Sequence, residues 1–432
     1  MYYIIETEEQ LAKLTVPDKC FIELVTKSDE CHPALSTPSV IYYNNFEKGY
    51  ILVLNHSEGF SISIASVQNF LQRHSTVYLL NKKKHSYYLD LPNSADLLFT
   101  ALEVDGVVKD FTCDTIVHKD FGYKHRYLPN INCLIPICKH YERCECMFET
   151  IRPYIEKNTN LPWLNDYTNV YKWVEEQGIT INEKVFDKYY EPTWKTNSVK
   201  GGKIYTQYNL YNITARPTNA FNTINFLALN KDGARASFIP NNDFFADFDF
   251  DGYHLRLIAN MLNIELPTEE SIHTYLGKLY FGKDELTEDE YQESKKITFR
   301  QLYNGVEDAV KEIELFKQVS IFITDLWKQY DEQGYIQLPN GRKLVQDNAN
   351  PQKLFNYYIQ CLETVNNVKK LLKLKEYLRD KKSRVVLVVY DSILVDFSKS
   401  DGMATYEGIK AILEEDDYLV KVKIAGDYDM RQ

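Results

Sequence analysis

Two short acidic segments, each at the end of an apolar run, constrain this chain of 432 residues more than any other feature. The first, FFADFDFDGYHLRLIANML (244–262), is typical of a strand that ends at carboxylates and turns into an amphipathic helix. Strand alternation predicts Asp247, Asp249 and Asp251 on one face. The second, RVVLVVYDSILVDF (384–397), predicts two strands joined by a tight turn. We therefore expect two acidic strand tips in a single α/β unit.

The two tips together predict a cation site. Asp249 lies at the first tip and Asp391 at the second, and side by side they would offer the hard oxygen ligands that Mg²⁺ prefers. One acidic residue at a turn is usually a solvated turn former, so neither tip is specific alone. The prediction depends on the fold bringing the two tips together.

A third segment, EYQESKKITFRQLYNGV (290–306), lies between the tips. As a helix it places Lys295, Phe299 and Tyr303 at i, i+4 and i+8 on one face. A cation, a flat ring and a phenol in line can contact a triphosphate, a base and a sugar, and stacking on a base contributes about 1–3 kcal/mol. The alternative is an ordinary amphipathic helix with a mixed face.

In this order the three segments resemble motifs A, B and C of family A DNA polymerases. Residues 249–256 follow motif A, the spacing within 290–306 satisfies motif B, and Tyr390-Asp391-Ser392 occupies the place of motif C. Segments 271–282, 334–344 and 356–360 resemble three connecting pieces: the fingers segment before motif B, the hairpin after the fingers, and the helix that contacts the primer–template minor groove. The resemblance covers residues 216–432.

The resemblance implies a right-hand palm and fingers with two-metal nucleotidyl transfer. It assigns Asp249, Asp391 and the Phe250 carbonyl to two Mg²⁺ ions, for which Mn²⁺ can substitute. Lys295 would be catalytic, neutralising phosphate charge as it develops. The expected nucleotide-binding residues are Phe299, Tyr303, His254 and Arg300. The expected primer–template-binding residues are Arg256, Gln360, Asn356, Arg216 and Arg342.

Four positions depart from the family pattern, and one of them is Tyr390, which replaces the motif C His. His254 occupies the place of the motif A Glu, which in the family packs beside the motif B Tyr and helps to exclude a 2′-hydroxyl. Discrimination against ribonucleotides is therefore expected to be weaker or built differently. Ser392 replaces a secondary carboxylate, and Tyr291 replaces an Arg, so fewer basic groups would contact the triphosphate.

Residues 1–158 occupy the place of the family's 3′–5′ exonuclease. The first acidic motif of that domain would fall at residues 23–25 and the second at 81–85, and each lacks one carboxylate. The third would fall at 141–145, where Glu145 takes the place of the Asp. A two-metal nuclease needs its acidic cluster nearly intact. We expect a degenerate ribonuclease H-like 3′–5′ exonuclease-type domain, without activity. An unrelated α/β domain is the alternative.

The region before the palm is short. The opening helix is predicted at about 168–178, ending at Gly178. Only about forty residues separate it from Arg216, where the family inserts a long thumb. Residues 159–215 are therefore predicted to be a connecting helix and a vestigial thumb, and 216–432 the palm and fingers. The expected fold class is α/β (α+β): polymerase palm and fingers with a much reduced thumb, after the exonuclease-type domain.

Composition limits the possible partners. The net charge of −11 argues against nucleic-acid binding by the whole surface, though not by a local basic channel. Eight Cys are scattered without zinc-site spacing, which predicts unpaired thiols in a reducing compartment. No signal peptide or membrane-spanning run is evident, so we expect no membrane partner and a cytoplasmic location, in the host if the source is viral.

The sequence thus predicts a DNA-directed DNA polymerase of phage or viral type. It would bind primer–template DNA and dNTPs, lack proofreading, and have low processivity without a processivity or replisome protein. The closest alternative is a single-subunit phage-type RNA polymerase, which shares the Lys-x₇-Tyr spacing of motif B and an Asp-Ser motif C. The other alternative is a non-catalytic, polymerase-like replication scaffold.

Overall fold

The structure is a computed structural model, and it describes residues 2–29, 31–107, 110–116, 131–159, 161–190, 198–220, 224–229 and 233–430. The chain divides into two units. Unit 1 comprises Met1–Gly178, Asp187–Tyr211 and Asn219–Asn225. Unit 2 comprises Ile179–Phe186, Asn212–Thr218 and Phe226–Gln432. Among the described helices, none has the length and apolar composition that a bilayer crossing requires.

Unit 1 is built on a six-stranded mixed sheet in the order β1-β4-β3-β2-β5-β6. Its strands are β1 (Tyr3–Ile5), β2 (Lys19–Thr26), β3 (Pro38–Asn44), β4 (Gly49–Val53), β5 (Thr76–Leu79) and β6 (Ser94–Asp96). The central strand β2 pairs antiparallel with β3 and parallel with β5. Phe21 and Val25 face one core, and Ile22 and Leu24 face the other, because successive side chains point to opposite faces.

Helices cover both faces of this sheet. They are α1 (Glu8–Ala12), α2 (Ile64–Leu71), α3 (Lys82–Ser86), α4 (Leu97–Asp105), α5 (Ile137–Ile151) and α6 (Trp163–Gln177). The core on one face contains residues of α4 and α5, and the core on the other contains residues of α1 and α2. The helix predicted at about 168–178 is confirmed as α6, and Gly178 ends it with a φ of +63°.

One pair of cysteines in unit 1 forms a disulfide. Cys113 and Cys146 are bonded, with their Cα atoms 6.4 Å apart. The prediction of unpaired thiols is therefore wrong for this pair. The two residues are 33 positions apart, and only the folded chain brings their Cα atoms within bonding range.

Unit 2 contains a four-stranded antiparallel sheet in the order β16-β17-β13-β18. Its strands are β13 (Phe244–Phe250), β16 (Arg384–Val389), β17 (Ser392–Phe397) and β18 (Val420–Ala425). Its long helices are α8 (Tyr253–Met261), α9 (Ile272–Phe281), α10 (Glu288–Asn304), α11 (Glu314–Gln333), α12 (Pro351–Tyr377) and α13 (Gly402–Glu414). The predicted strand-to-helix segment and the predicted β-hairpin are both confirmed.

The remaining elements are short. They are β7 (Ile179–Ile181), α7 (Glu183–Tyr189), β8 (Val199–Lys200), β9 (Lys203–Ile204), β10 (Tyr208–Asn209), β11 (Thr218–Asn219), β12 (Phe238–Ile239), β14 (Ile336–Gln337) and β15 (Lys343–Leu344). Part of the predicted vestigial thumb, residues 159–215, lies outside the described residues at 160 and 191–197.

A glycine makes the turn between β13 and α8. Gly252 has a φ of +58°, a conformation that side chains with a Cβ rarely adopt. A Cβ at this position would also run into the Ile272 side chain at the start of α9. The turn therefore requires glycine for two reasons, and it sets the first turn of α8 next to the strand tip.

Candidate active site

Two acidic strand ends meet at one edge of the unit 2 sheet. Asp249, near the end of β13, pairs in register with Ser392, the first residue of β17. The next residue of β13, Phe250, donates its backbone N–H to the carbonyl of Asp391, 3.0 Å away. Burial, the Asp391 charge and then the Asp247 charge raise the pKa of Asp249 to about 6. The carboxylates are therefore close enough to repel one another.

Asp251 does not share this position. The strand ends at Phe250, so the alternation stops before Asp251. The Asp251 carboxylate instead accepts hydrogen bonds from the Ser271 hydroxyl at 3.2 Å and forms an ion pair with Lys421. The prediction that all three aspartates share one face is wrong for Asp251. Asp247 remains near the tip, where it accepts a hydrogen bond from the Ser392 hydroxyl.

The donors at this tip fit a cation that a substrate helps to bind. Among the described residues, no hydrogen bond donor contacts the carboxylate of Asp249, and no cluster of three or more His, Cys, Asp or Glu side chains is arranged to hold a metal. Mg²⁺ usually binds to proteins through one or two carboxylates and completes its shell with phosphates and water. Asp249 and Asp391 match that donor set rather than a complete protein cage.

Helix α10 presents the predicted face toward a cavity. Phe299 and Tyr303 lie with ring centroids 6.0 Å apart and planes 17° apart, and Phe299 is 44% exposed. Lys295 lies one helical turn before Phe299, with Nζ 4.5 Å from the centroid of the Tyr291 ring. The Tyr291 ring therefore lies beneath the cation on this helix.

The cavity lies beside the acidic tip. Eleven residues line it: Arg216, Gly252, Tyr253, His254, Leu255, His273, Phe299, Leu302, Tyr303, Glu363 and Asp391. The structure thus brings Asp391 together with Arg216, His254, Phe299 and Tyr303, all of which the sequence singled out. Glu363, in α12, was not predicted. Burial lowers the pKa of His273 to about 4, so that this ring is neutral at neutral pH.

A chain of polar contacts runs along the cavity wall. The Tyr303 hydroxyl lies 2.5 Å from Nδ1 of His254, and Nε2 of His254 lies 2.5 Å from the Glu363 carboxylate. Glu363 also accepts a hydrogen bond from Nε of Arg216, 3.1 Å away. The Arg216 guanidinium lies 3.9 Å from the centroid of the Tyr390 ring. Residues from α8, α10, α12 and two loops are therefore connected beside Asp391.

Solved structures with a similar fold include one that matches over the whole chain. It is the POL domain of Pol1 from M. smegmatis, in complex with DNA primer-template and dNTP. The similarity has a TM-score of 0.71 at 13% identity and covers 100% of both chains. The chain has the fold of a polymerase domain. No protein-family model and no curated protein sequence matches it. At 13% identity the likeness establishes the fold alone.

Lys295 and three of the predicted arginines are not among the residues that line the cavity. Arg300 forms an ion pair with Glu307 at 3.4 Å, and both side chains are exposed. Arg256 is buried and donates to the Pro267 carbonyl at 3.0 Å. Arg342 is also buried and donates to the Asn212 carbonyl at 3.2 Å. The structure therefore places the guanidinium groups of Arg256 and Arg342 against backbone within unit 2.

Helix α12 supplies a polar face. Asn356 donates to the Tyr303 carbonyl at 3.3 Å, and Gln360 is half-buried one turn further along. Glu363 follows at the next helical step, and the Asn367 amide donates to the Tyr390 carbonyl at 3.0 Å. The spacing i, i+4, i+7, i+11 is the signal that identifies Glu363, because it places all four residues on one face.

The expected nuclease positions in unit 1 make local contacts. Glu23 forms an ion pair with Lys84 at 3.3 Å. The Asn81 side chain accepts a hydrogen bond from the Lys84 backbone and begins α3. Glu145 accepts a hydrogen bond from the Tyr42 hydroxyl. In the described part of unit 1, these side chains are therefore occupied in ion pairing, helix capping and packing.

Proposed function

We propose that this chain is a DNA-directed DNA polymerase that extends a primer from dNTPs by two-metal nucleotidyl transfer. The supporting observation is that Asp249 and Asp391 meet at adjacent strand ends, beside a cavity with aromatic walls, in a chain with a polymerase fold. The solved structure with this fold contains primer-template and dNTP, which supports the same ligands here.

Asp249, Asp391 and the carbonyl of Phe250 would hold two Mg²⁺ ions, for which Mn²⁺ can substitute. When bound, such ions lower the pKa of an attacking hydroxyl and stabilise both the attacking and the leaving oxygen. Burial and then repulsion by Asp391 raise the pKa of Asp249, and this supports the assignment, because a divalent cation would relieve the repulsion. Ser392 donates a hydrogen bond to Asp247 beside the same site.

The cavity wall would bind the incoming nucleotide. Phe299 is exposed enough to stack against a base, and Tyr303 lies parallel to it, one helical turn closer to Asp391. Lys295 would approach the triphosphate, where a cation offsets the charge that develops during transfer. His254 lies next to the sugar side of this wall through its contact with Tyr303. Arg300 would act at the outer edge.

The duplex would contact the other side of the site. Arg216 lines the cavity, and Asn356 contacts the Tyr303 carbonyl. Together with Gln360, one turn further along α12, they would touch the primer end and its minor groove. Arg256 and Arg342 donate to backbone carbonyls, so they would act by shaping the loops that the duplex contacts.

The proposal includes three finer points. Unit 1 lacks proofreading, because its carboxylates at the nuclease positions contact Lys84 and Tyr42 in the described residues. Residues 1–158 form an exonuclease-type domain, 159–215 a connecting helix and reduced thumb, and 216–432 the palm and fingers. Processivity is low without a partner protein. The similar structure comes from a bacterium, so it lends no support to a phage or viral source.

Primer extension tests the proposal. A DNA primer–template is incubated with Mg²⁺ and either dNTPs or NTPs, beside the variants Asp391→Asn and Asp325→Asn. Asp325 is exposed on α11 and controls for loss of one charge. We expect extension with dNTPs that Asp391→Asn abolishes and Asp325→Asn preserves. Extension with NTPs alone would instead indicate an RNA polymerase, and no extension even with Mn²⁺ would indicate a scaffold.

A further inference from the structure

Glu363 connects three residues of the cavity wall and has no part in the function proposed above. Its side chain is 1% exposed. One carboxylate oxygen accepts from Nε of Arg216 at 3.1 Å. The other lies 2.9 Å from a terminal nitrogen of Arg216 and 2.5 Å from Nε2 of His254. Both oxygens of Glu363 therefore contact nitrogen atoms of Arg216, and the guanidinium is bound at two points.

The Glu363 carboxylate determines which atoms donate and which accept in the hydrogen bonds to His254 and Tyr303. An ionised carboxylate only accepts, so Nε2 of His254 must carry the hydrogen. In the neutral ring, Nδ1 is then an acceptor, and the Tyr303 hydroxyl donates to it across 2.5 Å. Burial raises the pKa of Tyr303 to about 12, followed by the Glu363 charge, so this hydroxyl stays protonated. The lone pairs of the Tyr303 oxygen remain available to a ligand in the cavity.

The cluster also lies within electrostatic reach of the acidic tip. Beyond burial, which raises the pKa of Asp391, the Glu363 charge raises that pKa further and the Arg216 charge lowers it. Glu363, Arg216, His254 and Asp391 line one cavity. A structural ion pair elsewhere in the fold would neither line this cavity nor act on Asp391.

We propose that Glu363 is a positioning residue of the active site. Glu363 forms an ion pair with Arg216 and orients His254. It thereby fixes the Arg216 guanidinium and the Tyr303 hydroxyl at the wall that an incoming dNTP would contact. This inference rests on the proposed polymerase function. It assigns a role to a residue of α12 that is separated from His254 by 109 positions in the chain.

Steady-state kinetics with Glu363→Gln test the role. The substitution keeps the size of the side chain and removes its charge and one acceptor. We expect the KM for dNTP to rise about tenfold while kcat stays within about twofold, because hydrogen bonds to charged groups are lost outside the reacting atoms. Glu376→Gln removes the same charge from the exposed end of α12 and should leave both constants unchanged. Equal constants for the two variants would overturn the proposal.

A double-mutant cycle separates positioning from general destabilisation. If Glu363 acts through His254 on the Tyr303 hydroxyl, Glu363→Gln should raise KM by less than about threefold in a Tyr303→Phe background. A full tenfold rise in that background would mean that the effects are additive, and the proposed connection would be wrong. Should Glu363→Gln fail to fold, His254→Asn interrupts the same chain without uncovering a buried charge and should give the same rise in KM.

A measurement without turnover distinguishes failure of this inference from failure of the proposed function. Nitrogen NMR of histidine-labelled protein, with His254 assigned through His254→Asn, reports which ring nitrogen carries hydrogen. We expect an Nε2–H ring in the native chain and altered shifts in Glu363→Gln. Unchanged shifts would overturn the positioning role even in an active polymerase. A chain that extends no primer but shows the expected shifts would refute the polymerase proposal alone.

Discussion

The backbone N–H of Phe250 donates to the carbonyl of Asp391 across 3.0 Å, and this hydrogen bond joins two acidic turns that are more than a hundred residues apart in the chain. The bond lies at the edge of the sheet where β13 ends and β17 begins. It keeps the carboxylates of Asp249 and Asp391 close although they repel one another. The site therefore retains an unfavourable interaction that a bound cation would remove.

Asp249→Asn should stabilise the chain and abolish its activity. The amide removes a charge whose burial, together with repulsion by Asp391 and Asp247, raises the pKa of Asp249 to about 6, so at pH 7 in EDTA the free energy of unfolding should increase by about 2 kcal/mol. Primer extension should be lost together with the metal ligand. Urea unfolding and extension assays on one preparation check both parts, and a destabilised Asp249→Asn chain would contradict the proposed repulsion.

The increase in the free energy of unfolding that Asp249→Asn produces should depend on pH. The pKa of Asp249 is higher in the folded chain than in the unfolded chain. The ionised carboxylate therefore lowers the free energy of unfolding by its full amount above about pH 6. This effect diminishes as the pH falls toward about 4, where both states are protonated. The stability difference between variant and native chain should therefore shrink between pH 6 and pH 4, as unfolding curves at several pH values would show. A constant difference would count against this interpretation.

Gly252→Ala should be more harmful than Gly282→Ala. Both glycines have positive φ, but a Cβ at Gly252 meets Ile272 whereas a Cβ at Gly282 meets nothing within 4 Å. Backbone strain alone should cost about 1 kcal/mol at either position. The extra clash should lower the unfolding temperature further in Gly252→Ala and displace His254. Differential scanning calorimetry of the two variants measures the difference, and equal losses would exclude the steric contribution.

These sites show which features a sequence can predict. The strand tips and the face of α10 follow from periods of two and 3.6 residues, so Asp249, Asp391 and Tyr303 could be chosen in advance. The coarse polymerase fold is confirmed by the similar structure. Glu363 and the Cys113–Cys146 bond could not be paired with their partners, because those contacts depend on tertiary distances.

Acid should destabilise unit 1 partly through His140. This ring is fully buried, and burial lowers its pKa to about 4. The unfolded chain therefore binds a proton between about pH 6.5 and 4 that the folded chain does not, and stability is lost as the pH falls through that window. From pH 7 to pH 5 the loss should be about 2 kcal/mol. In the His140→Gln variant, the loss of unfolding free energy from pH 7 to pH 5, measured by urea unfolding, should be smaller by this amount. A loss equal to that of the native chain would refute the prediction.

Lys83→Met should strongly destabilise unit 1. Lys83 forms a buried ion pair with Glu175, which also accepts hydrogen bonds from the Tyr87 hydroxyl and the Tyr208 backbone, both at 2.6 Å. Removing the lysine leaves a buried carboxylate without its cation, which costs about 3–5 kcal/mol. Adding Glu175→Gln should recover part of the loss. Urea titration of the single and double variants checks this, and a double variant no more stable than Lys83→Met would contradict it.

Helix α12 also has a mechanical consequence for the site. From Asn356 to Asn367 it runs for about 16 Å as one rigid rod. At one end it contacts the Tyr303 carbonyl of α10, and at the other the Tyr390 carbonyl beside Asp391. This stretch of helix therefore sets the distance between the nucleotide wall and the acidic tip. A motion that swings α10 away must break the hydrogen bond at Asn356, while the hydrogen bond at Asn367 keeps the tip against α12.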